Sequence, residues 1–182
     1  MRIIGGTLKG RTLVVPKGLP VRPTTDFARE AIFNILSHHF DIHTISFLDL
    51  FAGTGAMSFE MASRGAHQII TVDQHAGCIR FIQSIAQQWN LKLIPIRSEV
   101  LRFAQKINQT FDLVFADPPY HTTDYHQLVD SLLLANILKP EAWLIIEHPP
   151  TIHFNHYTHF IRHLRYGNVN FSIFQSPSNP ST

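Results

Sequence analysis

The sequence holds a single cysteine, Cys78, among 182 residues. One thiol cannot close an intramolecular disulfide or supply a multi-thiolate metal site, so the expected surroundings are reducing. Charged residues make up only 15% against 45% hydrophobic. That balance excludes a charge-rich disordered chain and allows a sizeable core. Eleven prolines and nine glycines are too few for a collagen-like or low-complexity chain. No apolar run approaches the ~18–20 residues of a membrane span. Residues 1–6 lack a secretory apolar region, so the expected location is cytoplasmic. The length suits one domain.

The few charges are unevenly placed. Residues 1–30 carry six Lys or Arg against Asp26 and Glu30. The middle, 31–150, is net acidic, and residues 151–182 hold Arg162 and Arg165 with no acid. Basic ends around an acidic middle are compatible with a polyanionic partner held by the ends, or with chance segregation on a solvated surface.

Along the chain, residues 2–15 read as a β-hairpin turning at Gly5-Gly6. Residues 16–23 hold three prolines and read as a linker. Thr24, Thr25 and Asp26 offer cap oxygens for a helix ending near His38. From Phe47 strands and helices alternate. Strands are expected at 47–51, 68–72, 92–96, 111–116 and 143–147, with helices at 56–64, 76–88, 100–107 and 125–136. An antiparallel pair, 158–166 and 170–174, closes the chain before a polar tail, 176–182. This order predicts an α/β fold with a parallel, doubly wound sheet and helices on both faces. Ligands bind such sheets at the carboxyl ends of the strands.

Two motifs fall at those ends. Asp49-Leu50-Phe51-Ala52-Gly53-Thr54-Gly55 joins a strand to a helix. Its glycines permit a tight turn and close approach of a ligand to the backbone. Asp73 ends the next strand, where a carboxylate can accept both hydroxyls of a ribose. The dinucleotide fingerprint wants a third glycine, but position 58 is Ser. Asp49 would repel a pyrophosphate and attract the ammonium or sulfonium of S-adenosylmethionine. The second motif is Asp117-Pro118-Pro119-Tyr120. Its prolines remove two N–H donors. The Asp117 carboxylate and the Pro118 carbonyl are left as acceptors for one exocyclic amine, and Tyr120 offers a flat face for a base. Two acceptors on an aromatic amine favour a pyramidal nitrogen and aim its lone pair at an electrophile. A base inside a helix cannot reach such a corner, so a nucleic-acid target must be unstacked.

The residues around these motifs resemble the RsmD family. The resemblance is carried by the opening Met1-Arg2-Ile3-Ile4-Gly5-Gly6 with Lys9-Gly10-Arg11 and by Arg22-Pro23-Thr24-Thr25-Asp26 with Arg29-Glu30-Ala31-Ile32-Phe33-Asn34. The glycine turn, residues 63–66, residues 111–120 and Arg165-Tyr166-Gly167 extend it. It implies a Rossmann-like class I methyltransferase with a mostly parallel seven-stranded sheet and a small N-terminal hairpin extension. The expected division is an RNA-contacting arm and linker (1–23), a catalytic domain (24–175) and a tail (176–182). The implied activity is methyl transfer from S-adenosylmethionine to N2 of one guanine, conventionally position 966, of 16S rRNA in the small ribosomal subunit or an assembly intermediate. By motif, Asp49, Gly53, Gly55 and Asp73 would hold the cofactor, with Arg22 and Thr24 near it. Asp117, Pro118 and Tyr120 would hold the guanine. Lys9, Arg11 and Lys17, with Arg22, would grip phosphates. A monomer without metal is expected.

Three positions depart from the family pattern. Ser98-Glu99 stands where a Gly-Asp reads the adenine amine, so Glu99 is assigned that role. Phe27 stands where a basic residue is usual. Pro140-Glu141-Ala142 replaces Pro-Gly-Gly. His153, His156, His159 and His163 do not have convergent metal-ligand spacing on loop and strand. Glu147 could accept a proton near the site or serve structure. Trp89 and Trp143 read as core and Cys78 as inert. Alternatives in view are a DNA adenine-N6 or protein glutamine methyltransferase, and a non-catalytic RNA-binding module.

Overall fold

The computed structural model of the chain describes residues 1–19, 25–120 and 124–178. In chain order the elements are α1 (Asp26–His39), β1 (Ser46–Leu50), α2 (Ala56–Ser63), β2 (Gln68–Asp73), α3 (Ala76–Gln88), β3 (Ile94–Arg97), α4 (Val100–Lys106), β4 (Phe111–Ala116), α5 (Tyr125–Leu134), β5 (Leu138–His148), β6 (Phe160–Tyr166) and β7 (Val169–Gln175). The seven strands form one sheet in the order β3-β2-β1-β4-β5-β7-β6. Only β7 runs against its neighbours. The order reverses between β1 and β4, which is where a doubly wound sheet opens its binding crevice.

Alternation along the strands builds two layers. Phe47, Ile69, Leu113, Phe115, Ile145, Phe171 and Ile173 face α1 and α2, packing on Ile32, Phe33, Met57 and Met61. Leu48, Leu50, Val72, Val114, Ala116, Leu144 and Ile146 face α4 and α5, packing on Ala104, Leu128, Val129 and Leu132. Successive side chains point to opposite faces, so a strand buried on both sides reads as a continuous apolar run. α1 starts where its cap residue predicts: the Thr25 hydroxyl accepts a hydrogen bond from the Ala28 N–H at 3.2 Å.

The N-terminal arm is only partly the expected hairpin. Arg2 and Thr12 form an antiparallel bridge, and the Ile3 N–H donates to the Arg11 carbonyl at 2.9 Å. The chain does not reverse at Gly5-Gly6, however. Gly5 is extended, and residues Gly6–Leu8 form a short 3-10 turn. The reason lies in α2. The fully buried Glu60 carboxylate accepts from the Ile4 N–H (2.8 Å), the Gly5 N–H (2.7 Å) and Arg64 Nε (2.9 Å). Gly6 takes a positive φ of 74° so close to α2 that a Cβ would lie 1.9 Å from the Ser63 carbonyl oxygen. Hydrogen bonds to an ionised group contribute about 1.5–3 kcal/mol each, so Glu60 outweighs the local preference for a two-residue turn.

β5 also differs from expectation, starting at Leu138 and not Trp143. Its early part holds Pro140 and Glu141, and Glu141 sits in the left-handed region at φ 61°. The register with β4 slips between Phe111 and Leu113. That bulge hides the first half of the strand from a periodicity reading. β3 runs from Ile94 and not 92, and α5 stops at Leu134 and not 136.

Candidate functional site

β1, β2 and β4 end side by side, with Leu50 in register with both Val72 and Ala116. The residues that follow these strand ends come from both motifs. Phe51 turns the chain out of β1 with a positive φ of 59°. The Ala52 N–H then donates to the Val72 carbonyl (3.0 Å), and the Gly53 N–H donates to Asp73 Oδ2 (2.8 Å). Gly55, at φ 75°, is the residue before α2. A Cβ there would lie 2.9 Å from Ile82 Cγ1, so the third residue of the Gly-Thr-Gly turn is set by α2–α3 packing as well as by backbone conformation.

Asp73 therefore has one oxygen on Gly53 and the other, Oδ1, on the His75 N–H at 2.7 Å. Each oxygen keeps accepting capacity for a hydroxyl. Asp49 is buried at the core side of the same turn. Its Oδ2 accepts from the Ser58 N–H (3.1 Å) and from Ser58 Oγ (2.6 Å), and Ser58 Oγ also meets Thr71 Oγ1 at 2.7 Å. Burial pushes the Asp49 carboxyl up to about 7, against the two hydrogen bonds from Ser58 and with the help of the nearby Asp73 charge. Ser58, which breaks the dinucleotide pattern in sequence, is thus the partner that holds Asp49.

The Asp-Pro-Pro-Tyr corner lies one strand away. The Asp117 N–H reaches the Leu50 carbonyl at 3.4 Å, which sets Asp117 beside the start of the glycine turn. Pro118 is buried and Tyr120 half-buried. The Tyr120 hydroxyl donates to Glu147 Oε1 at 3.0 Å. Burial and the Glu147 charge raise the Tyr120 phenol above its usual range, so it stays neutral. Tyr125, at the start of α5, has a buried hydroxyl without a hydrogen-bond partner among the described residues. Burial, then the charges of Asp117 and Glu147, raise its phenol as well. Glu147 and Tyr125 thus join the corner. A carboxylate closing a central strand was the sequence signal for the first; an aromatic opening the helix after the motif offered only a weak signal for the second.

The Ser98 N–H donates to the Asp73 carbonyl at 3.1 Å, which keeps Glu99 beside the end of β2. Glu99 caps α4, its oxygens accepting from Leu101 N–H (2.9 Å) and Arg102 N–H (2.8 Å). Lys9, Arg11 and Lys17 are exposed on the arm, and the Arg11 guanidinium lies 5.4 Å from the Trp89 ring centre. Arg22 and Thr24 lie outside the described residues. Cys78 is buried, and burial pushes its thiol up to about 11. His148 and His163 rings are 5.6 Å apart, while His156 stands by His126 and Tyr157. A cleft of about 590 Å³ lined by His38, His39, Trp143 and Arg162 opens at the carboxyl end of α1, away from the corner.

The donor and acceptor set at the three strand ends is anionic and rich in acceptors. It fits a ribose and a cationic group, and the Gly53 N–H is already used by Asp73. The family profile described as "Conserved hypothetical protein 95" matches residues 1–175. The chain is 34% identical over 154 residues to the Ribosomal RNA small subunit methyltransferase D of Haemophilus influenzae, covering 81% of this chain and 78% of that one. The solved structure of the Escherichia coli protein yhhF superposes with a TM-score of 0.85 at 26% identity, over 98% of this chain and 99% of that one. The Thermus thermophilus 16S rRNA N2 G1207 methyltransferase, solved with AdoMet and guanosine, shares the fold at a TM-score of 0.71 and 19% identity, over 97% of this chain and 49% of that one.

Proposed function

The chain belongs to the RsmD family, and from that premise we propose that it methylates the N2 amine of one guanine in 16S rRNA, at the position conventionally numbered 966. The methyl donor is S-adenosylmethionine, and the substrate is the small ribosomal subunit or an assembly intermediate. The enzyme works as a cytoplasmic monomer. No helix among the described residues is long and apolar enough to cross a membrane.

The observation that carries this reading is the adjacency of the two motifs, with Asp117 bonded to the strand that launches the glycine turn. Asp73 accepts the ribose hydroxyls, the turn at Gly53 and Gly55 lets the cofactor approach the backbone, and Glu99 lies by the adenine. Asp49 supplies negative charge beneath the turn. S-adenosylmethionine, when bound, supplies a methyl group activated by its sulfonium. The chain's own residues do the rest. The Asp117 carboxylate and the Pro118 carbonyl accept the two hydrogens of the guanine N2 and aim its lone pair. Asp117 offsets the positive charge that grows on that nitrogen and takes up its surplus proton at a carboxylate oxygen. Tyr120, held by Glu147, presents its ring to the guanine, a stacking contact of about 1–3 kcal/mol. Lys9, Arg11 and Lys17 hold phosphates of the surrounding rRNA.

Small subunits from cells lacking this gene, incubated with labelled cofactor and digested to nucleosides, test the reading. Label in N2-methylguanosine at a single site is expected. Label in an adenosine, in DNA or in protein would overturn it.

A further inference from the structure

The carboxyl-end edge of the sheet carries one more aromatic surface, at its far side. Ala116, Ile146, Ser172 and His163 lie in one row across β4, β5, β7 and β6. Tyr166 stands three residues beyond that row, on the same side as Asp117. At the first turn of α1, Phe27 leaves 66% of its surface exposed. Its ring meets Tyr166 edge-on, with centres 6.0 Å apart and planes at 82°. An edge-to-face partner fixes a ring and leaves one of its faces open. With two-thirds of its surface in solvent, Phe27 adds little to the core.

The charge around this pair is mixed: Asp26 and the exposed Glu30 flank Phe27 on α1, against the guanidinium of Arg2. Arg2 is largely exposed, 3.9 Å from Asp26. Asp26 is already matched at 2.6 Å by the buried Arg29. Arg165, one residue before Tyr166 in β6, is exposed on the opposite face of the strand, its Nε donating to the Gly167 carbonyl at 3.2 Å. Across the sheet, the strand of Tyr166 lies three strand spacings of about 4.8 Å from the strand of Asp117, on the order of 14 Å. That is a span of a few nucleotides along an opened strand. A fixed, exposed aromatic face with a guanidinium beside it, on the edge that carries the Asp117 corner, is an arrangement that holds an unstacked base.

We propose that Phe27, braced by Tyr166, is a stacking platform for an rRNA base a few nucleotides from the methylated guanine, with Arg2 on the adjoining phosphate. This deepens the proposed rRNA methyltransferase reading and depends on it. In place of the basic residue usual at this position, the chain would grip RNA by stacking.

The test compares Phe27→Ala, Phe27→Leu and Phe27→Trp with the wild type, using unmodified small subunits and labelled cofactor. Phe27→Ala should raise KM for the particle roughly 5- to 100-fold, the equivalent of losing one stacked base, with kcat and cofactor affinity within about twofold. Phe27→Trp should restore KM, and its added fluorescence should be quenched by RNA. Phe27→Leu should behave like Phe27→Ala. Full activity of Phe27→Ala would overturn the platform. Full activity of Phe27→Leu would also overturn it, because it would assign the contact to apolar packing against protein. A wild-type enzyme that methylates no RNA would instead refute the underlying function.

Discussion

The Tyr120 hydroxyl donates to Glu147 Oε1 at 3.0 Å across 27 residues of sequence, tying the end of the Asp-Pro-Pro-Tyr motif to the end of β5. Glu147 is almost wholly buried, so the bond anchors the outer end of the Tyr120 ring. Glu147→Ala should lower kcat/KM about 10- to 100-fold, the equivalent of a lost hydrogen bond to a charged group. Glu147→Gln keeps a carbonyl acceptor and should stay much nearer the wild type. Steady-state transfer assays on both variants check this.

Tyr125 presents the opposite case. Its hydroxyl is buried and makes no hydrogen bond among the described residues. An unpaired buried hydroxyl costs about 1–3 kcal/mol. Tyr125→Phe should therefore stabilise the fold by about 1 kcal/mol, read as a higher urea midpoint with an unchanged slope.

Asp49 makes stability depend on pH. Its folded pKa of about 7 lies above the ordinary 3.8, so folding favours the protonated form. The stability tied to this group is complete below about 3.8 and is lost as pH rises through about 7. The wild type should lose on the order of 2 kcal/mol between pH 5 and 8 relative to Asp49→Asn, which has no charge to lose there. Denaturation curves of the pair across that range give the comparison. A cationic ligand favours the ionised carboxylate, so cofactor affinity of the wild type should rise with pH over the same interval.

Glu141 holds a left-handed backbone at φ 61°, in the place where the family has glycine. That conformation costs a residue with a Cβ roughly 1–2 kcal/mol, partly offset by the lower chain entropy of the unfolded state. Glu141→Gly should raise the thermal midpoint by a few degrees, with transfer activity unchanged. Calorimetry is the check.

Much of this was legible in the sequence because it was local. Thr25 announces α1, the apolar runs announce β1 and β4, and the two motifs fall at strand ends as read. What escaped were pairings over long sequence separations. Nothing near Gly5 reveals that Glu60, 55 residues on, will take its N–H and straighten the expected turn. Ser58 reads in sequence as a missing glycine, and only the fold brings its hydroxyl onto Asp49. The first half of β5 was hidden because a proline and a left-handed Glu141 interrupt its alternation. Tyr125 could be found only once α5 had been folded back over the corner.

The central claim is that Asp117 grips the target amine without being needed for the cofactor. Calorimetric titration with S-adenosylmethionine, paired with single-turnover transfer to unmodified small subunits, tests it in Asp117→Ala. Cofactor affinity should stay within about threefold of the wild type, and the transfer rate should fall by at least about a thousandfold, some 4 kcal/mol of lost transition-state stabilisation. Transfer at a wild-type rate, or loss of cofactor binding in step with activity, would contradict it.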